Sequence, residues 1–547
     1  MTNLQQAEIR VVGVVQGIGF RPFIYAQATN RRLVGFVLNT GNSAVQIVVE
    51  GEKKKIIEFI ESIETDKPYL AVIDSIQTIW RSPEGNFSDF QIRMSQNENK
   101  AGGSVIPADI SVCSDCIEDM NNSRSRHYQY PMTCCAICGP RYTTVTDTPY
   151  DRERTTMNDF PLCKDCNSEY NDPLNRRYNA QTICCPNCGP QFSLIGTDGS
   201  QIEVTDPFAE TVKLLNEGAL VAIKGLGGIH LAVRATLEEQ IQRLRKLRMK
   251  PHKPLAIMSK DIETTRKYAL VDDTAEQLLL SWRRPIVVLN QLDPFPLASS
   301  LAPGLDTIGV MLPYSGIYLQ LFEGLQDLAL VMTSANPAGL PTIIQASTFQ
   351  DKFKEMADYF LTHNRTIYQR CDDSVIIPLF NQELIIRRSR GYTPEPIETA
   401  QSGPTILSLG ALEKNTGAIY NKRRIYLTQH IGDIDTVETL GFLQNSLAHL
   451  KQLLRVPDFE AIACDLHPDF LTTQYGAELA EEHQIPLIKV QHHHAHLAAL
   501  LADFKLPLSE DIVAICCDGA GYGSDNTIWG GEILTGNANQ FTRSGHL

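Results

Sequence analysis

From residue 8 the chain reads EIRVVGVVQGIGFRPFIYAQATNRRLVGFVLNTGNSAVQIVVEG. Apolar and polar positions alternate, break at closely spaced glycines, and then resume. The pattern predicts a strand, a Gly-rich turn, a helix, and two strands joined by a polar turn. From about residue 205 it changes to strands alternating with helices. ALVAIKGLGGIHLAV is followed by the amphipathic TLEEQIQRLRKLRMK, then KPLAIMS, RPIVVLNQ, LALVMTSANPAG and SVIIPL, which together read as α/β. The Pro-rich GYTPEPIETAQSGP reads as a linker. After it, TILSLGALEKNTGAIY predicts strand, turn and strand opening a new domain. AIACDLHPDF, IPLIKVQHHHAHLAALLADF and IVAICCDGAGYGSDNTIWGGE then contain apolar strands that end in polar residues.

Between these regions a different regularity takes over. Cys113-x2-Cys116 and Cys135-x2-Cys138 are separated by eighteen residues, and Cys163-x2-Cys166 and Cys185-x2-Cys188 by another eighteen. A CxxC turn aims two thiolates at one point, and two such turns supply the four soft ligands of a closed tetrahedral zinc site. Eight cysteines make two such sites, with no coordination position left for a substrate. Sequential and nested pairings both satisfy the spacing, although the echo of CGPRYT in CGPQFS favours one zinc per half. Cys134 and Cys184 directly precede a ligand and read as non-ligands. The competing reading, buried cysteines without metal, does not account for four pairs at a repeated spacing.

Composition narrows the function classes. The 547 residues are 43% hydrophobic and 20% charged, enough for several globular cores, and the formal net charge of −14 argues against a broad nucleic-acid surface. No apolar run approaches the roughly 18 to 20 residues that span a bilayer. The start, MTNLQQAEIR, lacks the apolar core of a signal peptide. No membrane or nucleic-acid partner and a cytoplasmic location are therefore expected. Ten of the fourteen cysteines lie between 113 and 188, which suits metal in a reducing compartment better than disulfides.

Three further groups carry chemistry. Gln16, Gly17 and Gly19 with Arg21 make an anion cradle: backbone N–H groups converge at a helix N-terminus beside one guanidinium fork. Lys224, Arg245, Lys246, Arg248, Lys250 and Lys253 concentrate positive charge in an acidic chain. A solvated helix face is the default reading of such a run, but the TSANP turn at 333–337 and RRSRGY at 387–392 add donors suited to nucleotide phosphates. There is no Walker A sequence. In HHHAH at 492–496, His492 and His496 lie at i and i+4 on one helix face, the spacing that puts two imidazoles on one metal. His493 and His494 point elsewhere, to substrate or backbone. Asp518 ends an apolar strand before a glycine turn, as a carboxylate ligand would.

The words themselves resemble known families. GVVQGIGFRPF with GFVLNTGNSAVQIVVEG resembles the acylphosphatases, a resemblance that makes Arg21 the phosphate binder and Asn39 the residue orienting the attacking water. KGLGGIHL, RKLRMKPHKPLAIM, RRPIVVL, GVMLPYS, TSANP and RCDDSV resemble the YrdC-like family, which makes acyl-adenylates from a carbamate and ATP. By position Lys224, Arg248, Lys253, Ser334 and Asn336 would line that site, while Asn364 stands where that family usually has Asp. The C-terminal words resemble the threonylcarbamoyl transferases, which implies His492, His496 and Asp518 as ligands of a further divalent metal beside a nucleotide.

The order of modules resembles the HypF family, carbamoyltransferases of nickel–iron hydrogenase maturation. The implied architecture is multi-domain α/β and α+β. It comprises a ferredoxin-like acylphosphatase domain over 1–95, two four-cysteine zinc modules over 105–195, a YrdC-like α/β domain over 203–395, and part of an actin-like nucleotide-binding transferase domain over 404–547. The implied chemistry is a relay: carbamoyl phosphate is hydrolysed, the carbamate joins AMP from ATP with Mg, and the carbamoyl group passes to the C-terminal cysteine of HypE, later to become a cyanide ligand. The second half of the transferase module is expected to be missing. Three alternatives stand beside the relay: an adenylate-forming fragment without transfer, a zinc-stabilised binding protein or chaperone, and tRNA threonylcarbamoylation, which the acidic charge disfavours.

Overall fold

The computed structural model describes residues 4–40, 44–93, 106–249, 251–336, 339–380 and 382–547. The boundaries drawn at 1, 95 and 105, together with Lys250 and Pro337, lie outside the described residues. The chain divides into two compact units, residues 1–338 with 342–392 and residues 339–341 with 393–547.

The first unit begins with β1 (Leu4–Val14), α1 (Phe20–Asn30), β2 (Val34–Thr40), β3 (Ala44–Glu52), α2 (Lys53–Thr65), β4 (Val72–Arg81) and β5 (Phe90–Ile92). The sheet order is β4-β1-β3-β2-β5. Alternate residues Ala7, Ile9 and Val11 of β1 are fully buried against Ile24 and Ala28 of α1 and Ile56, Phe59 and Ile63 of α2. These are the period-2 and period-3.6 signatures of a sheet and helices sharing one core. Burying each large side chain is worth about 1.5–3 kcal/mol. The same core takes in Cys116, Cys134, Cys135 and Cys138, so the first cysteine segment packs directly on this layer.

The cysteine segments fold alike. Each contributes one short helix, α3 (Ser114–Asn121) and α4 (Lys164–Asn171), preceded by an N-cap cysteine. Backbone bonds join this region to the following sheet: Val112 N–H donates to the Tyr314 carbonyl and Ser111 N–H to Trp282, both at 3.0 Å.

That sheet has eleven strands. They are β6 (Phe192–Gly196), β7 (Gln201–Ile202), β8 (Val221–Lys224), β9 (Ile229–Arg234), β10 (Ile257–Ser259), β11 (Ile286–Asn290), β12 (Thr307–Met311), β13 (Ala329–Ser334), β14 (Tyr359–His363), β15 (Val375–Leu379) and β16 (Gln382–Arg387). Their order is β16-β15-β11-β12-β10-β13-β9-β8-β14-β6-β7. Both faces are covered. Ala222 and Val331 join one apolar cluster, while Val221, Ile223, Leu330 and Met332 join the other. Burial on both faces explains why these strands read as continuous apolar runs. β6, all but its last residue inside the segment assigned to the zinc modules, already pairs onto this sheet, with β7 beyond it at the edge.

In the second unit β17 (Ile397–Ser408), β18 (Ala418–Leu427), β19 (Ala461–Asp465) and β20 (Leu487–Val490) form a sheet of order β18-β17-β19-β20. The helix His492–Asp503 follows β20, and Ile512–Cys516, Glu532–Gly536 and Phe541–His546 make a second sheet. The stretch read as a linker is thus corrected: from Ile397 it is strand. Its first half is mostly exposed and pairs with β18 through two register shifts, so it carries no apolar alternation to betray it. No helix among the described residues is long and apolar enough to cross a membrane.

Gly316, at the start of the helix Gly316–Leu321, marks a close approach of the zinc region to the large sheet's covering layer. A Cβ there would collide with the Pro131 carbonyl and with Met120 Cε. Gly316→Ala is expected to destabilise the first unit by about 1–3 kcal/mol through overpacking, read from the denaturant midpoint of the mutant chain.

Candidate functional site

The eight cysteines form two groups of four, Cys113, Cys116, Cys135 and Cys138, and Cys163, Cys166, Cys185 and Cys188, in each of which the sulfur atoms lie within 4.8 Å of one another. The pairing is sequential. Sγ separations are 3.8 Å for Cys113–Cys135, 3.7 Å for Cys135–Cys138 and 3.5 Å for Cys138–Cys116. In the second group they are 3.7 Å for Cys163–Cys185, 3.8 Å for Cys185–Cys188 and 3.5 Å for Cys188–Cys166. Four sulfurs at about 2.3 Å from a central zinc stand about 3.8 Å apart along a tetrahedral edge, so both groups fit the ion. Cys134 and Cys184 stay outside them. Cys134 Sγ contacts the Thr182 carbonyl at 3.2 Å, and Cys184 Sγ the Met132 carbonyl at 3.6 Å.

The glycine cradle is built as the sequence implies. Gly17 and Gly19 hold φ of +73° and +75°, and Gly19 caps α1. A cavity of about 20 Å³, large enough for a water-sized occupant, is lined by Gln16, Gly17, Gly19, Arg21, Arg141, Tyr150, Asn179 and Gln181 among others. Its far wall therefore comes from the zinc region. Arg141, in CGPR after the Cys138 turn, donates from Nε to the Gly17 carbonyl at 2.6 Å, and from Nη1 and Nη2 to the carbonyls of Cys138 and Ala136 at 3.1 Å. Asp151 faces Arg21 at 3.6 Å. Gln16 directs its amide to the Thr40 and Ala44 carbonyls. Asn39 is buried, with neither amide atom hydrogen-bonded to protein, so its partner is a water or a bound polar group. It does not line the cavity.

On the large sheet the structure brings Arg248, Ser334 and Asn336 together. Arg248 Nη2 donates to Asn336 Oδ1 at 3.2 Å and reaches Ser334 Oγ at 3.4 Å, and Nη1 bonds Thr333. Burial lowers the Arg248 guanidinium to about 10. Lys224 is buried too, but its ammonium donates to the His363 and Arg365 carbonyls at 2.9 and 2.8 Å. Burial, then the nearby Arg365 charge, pushes it down to about 8. Lys253 is exposed.

Two charge readings need correction. Arg245 is a staple whose fork serves the carbonyls of Ser300, Pro251, Lys253 and Leu301. In RRSRGY, Arg390 is buried and bonds Asp373 Oδ1 at 2.8 Å, so it is committed inside the protein. Asn364 accepts the Gln191 N–H at 2.9 Å. Sequence reasoning also missed a buried network beside Ser334. His230, which faces Ser334 across β9 and β13, meets Asp373 Oδ2 at 3.1 Å and Tyr318 Oη at 2.9 Å.

In the second unit His492, His496 and Asp518 converge. His492 Nε2 lies 3.3 Å from His496 Nε2 and 3.0 Å from Asp518 Oδ2. The opposite nitrogen, Nδ1, meets the buried Asp465 at 2.8 Å. Two imidazoles and a carboxylate fit a divalent metal with an open position. His494 Nε2 bonds the Asn537 carbonyl at 2.9 Å, away from the cluster, whereas His493 Nε2 sits 3.5 Å from Asp518.

Comparison with known proteins follows these modules. The acylphosphatase family matches residues 7–92, the HypF finger 112–145 and 162–195, and the Sua5/YciO/YrdC family, described as telomere recombination, 213–389. The HypF Kae1-like domain matches 401–503, and the second subdomain of the carbamoyltransferase Kae1-like domain matches 514–547. Carbamoyltransferase HypF2 of Cupriavidus necator is 42% identical over 557 residues, covering 98% of this chain and 68% of its own length. This chain belongs to the HypF family of carbamoyltransferases. The crystal structure of HypF from T. kodakarensis matches with a TM-score of 0.93 at 42% identity, covering 99% of this chain and 69% of that one. That of a full-length HypF in the phosphate- and nucleotide-bound form gives 0.93 at 40% identity, covering 99% and 70%.

For a HypF-family chain the subdomain matches sharpen one point: His492 and His496 come from the first subdomain, and Asp518 from the second. Part of the half expected to be missing is present. The fingers also gain a second role, because Arg141 ties the first cysteine turn to the cradle. Arg141→Lys keeps the charge but loses the fork. It is expected to weaken inorganic phosphate binding about tenfold or more, the size of one hydrogen bond involving a charged group, in calorimetric titration at unchanged zinc content.

Proposed function

We propose that this chain carries out the carbamoyl relay of its family, consuming carbamoyl phosphate and ATP. Water attacks the phosphorus of carbamoyl phosphate, the bond to the carbamate oxygen breaks, and phosphate and carbamate separate. Arg21 and the N–H groups around Gly17 and Gly19 stabilise the charge gathering on the phosphoryl oxygens, and Asn39 orients the water. This chemistry needs placement and charge more than a strong nucleophile. Carbamate then attacks the α-phosphorus of ATP, escorted by Mg, and pyrophosphate leaves. Arg248, Ser334 and Asn336 hold the anionic groups there, with Lys224 as a buried cation and Lys253 as an exposed one. In the last step a thiolate attacks the carbamoyl carbon and AMP departs. The C-terminal cysteine of HypE is the acceptor.

The observation that carries this reading is that the phosphate cradle and the Arg248–Ser334–Asn336 cluster share one compact unit, joined through the fingers. Phosphate and nucleotide in a relative of 40% identity add support. Zinc in the two thiolate sites fixes architecture. A metal on His492, His496 and Asp518 would supply Lewis-acid polarisation beside the transferring group; the residues themselves hold and orient it, through Asp465 on His492. Eight metal-binding thiols and ATP as co-substrate suit the reducing cytoplasm.

The test is carbamoyl-phosphate-dependent exchange of labelled pyrophosphate into ATP. The whole chain should support exchange. Arg21→Ala should abolish it with carbamoyl phosphate yet leave exchange driven by ammonium carbamate, whereas Arg248→Met should lose both. Exchange by Arg21→Ala at the normal rate with carbamoyl phosphate would remove the acylphosphatase step. Exchange without transfer to HypE would favour the adenylate-forming fragment.

Lys224 gives the pH dependence. Its amine, displaced to about 8, is a cation below that value and neutral above it. Exchange driven by carbamate should therefore fall as pH rises through about 8. Lys224→Met should be slower and show no such limb.

A further inference from the structure

The two fingers are related residue by residue. Cys116, Asp119, Arg126 and Cys135 recur fifty positions later as Cys166, Glu169, Arg176 and Cys185. Each arginine acts on the other finger. Arg126 of the first donates from Nη1 to Cys166 Sγ at 3.2 Å and from Nε to Glu169 Oε1 at 3.1 Å, with Nη2 also on Glu169. Arg176 of the second donates from Nη1 to Cys116 Sγ at 3.0 Å and from Nη2 to the Asp115 carbonyl at 3.1 Å, with Nη2 also on Asp119.

The two clasps share one plan. On α3 and α4 the second cysteine and the carboxylate three residues later share a helix face. Each guanidinium bridges that pair across the finger boundary. Between the clasps Arg177 bonds Asp119 and lies 3.8 Å from Glu169, with His127 at 3.7 Å from Glu169. With the arginines in place Cys116 and Cys166 are wholly buried, so each sulfur takes its outer N–H donor from the protein.

Four thiolates on one divalent ion leave a double negative charge. N–H donors from outside the ligand set disperse it and orient the ligands. A segment of this kind acquires its fold with its metal. The helix that presents Cys166 and Glu169 to Arg126 therefore depends on the second ion, and the helix that presents Cys116 and Asp119 to Arg176 on the first. We propose that the two zinc sites load cooperatively, with Arg126 and Arg176 as positioning residues that each complete the other finger's site. The chain then carries two ions or none, and a half-loaded finger pair is disfavoured. Such cooperativity is independent of the carbamoyl relay.

The experiment titrates zinc into the reduced, metal-free full chain and counts empty, one-zinc and two-zinc molecules by native mass spectrometry. At one zinc per chain the one-zinc species should fall below its statistical share. A share at or above that value in the wild-type chain overturns the proposal, whatever the variants do. Arg126→Met with Arg176→Met should restore the statistical share and speed zinc loss to a chelator about 10- to 100-fold. Each single variant, mapped by which cysteines are alkylated first during zinc loss, should expose the opposite finger: Arg126→Met the group around Cys166, Arg176→Met the group around Cys116. Exposure of the variant's own finger first would also overturn it. Arg126→Lys with Arg176→Lys keeps the charges and should fall between wild type and the Met pair; retention of full wild-type cooperativity there counts against the fork geometry.

Discussion

Four sulfur atoms held within 4.8 Å of one another set the terms for the first unit. As thiolates they repel, and with five of the eight buried solvent screens them little, so a central cation is what makes the arrangement favourable. The fingers have little else. The second owns an apolar cluster of Cys166, Ala180, Ile183 and Cys185 with a few partly buried neighbours, far less than an independent domain of that length needs. Yet these fingers hold the Gly17 carbonyl through Arg141, supply Tyr150, Asn179 and Gln181 to the cradle wall, and bond the large sheet's loops through Ser111 and Val112. The second site stands where apolar core is sparse, the first is packed into the core of the N-terminal sheet, and two other modules depend on them.

This arrangement explains how a buried cation can wait in the cradle. Arg21 is nearly enclosed, and a lone guanidinium there would carry a large desolvation cost. Asp151 offsets it. At 3.6 Å the pair lies beyond ordinary hydrogen-bond length, so it neutralises without locking the fork. A phosphoryl group with two oxygens in bidentate reach competes well against such a partner. The zinc region thus contributes a resting counter-ion along with a wall.

Much of this was legible in the sequence where chemistry requires a fixed local spacing. The CxxC pairs, the glycines before Arg21, and His492 with His496 each report one turn of chain, and the structure brings each set together. The TSANP turn likewise meets Arg248. What stayed hidden depends on distant approach. Arg141 reaches Gly17 across 124 positions, and nothing local distinguishes it from a surface arginine. For the same reason Arg245 and Arg390 looked like free positive charge: a charge pattern cannot separate a guanidinium facing solvent from one satisfying internal carbonyls or a buried aspartate. The linker misreading has another cause. The first half of β17 lies exposed, so the alternation that reveals a half-buried strand was never written into it.

The metal groups of the two units divide by what surrounds them. Each finger site fills all four positions with sulfur and gains arginine N–H donors around it; such a site has nothing to offer a substrate, and every outer contact makes it more rigid. The group at His492, His496 and Asp518 offers three donor side chains and is partly exposed, so a metal held there would keep a coordination position for a reacting group. Its outer contact serves a different end. Asp465 takes the Nδ1 side of His492 and so turns Nε2 toward Asp518, fixing ring and tautomer as carboxylate–histidine pairs do at working metal sites. Because Asp518 belongs to a different subdomain from the two histidines, the group closes only when both subdomains are in place. A metal held there would bind in step with their docking, whereas in the fingers binding accompanies folding of the ligand-bearing segments themselves.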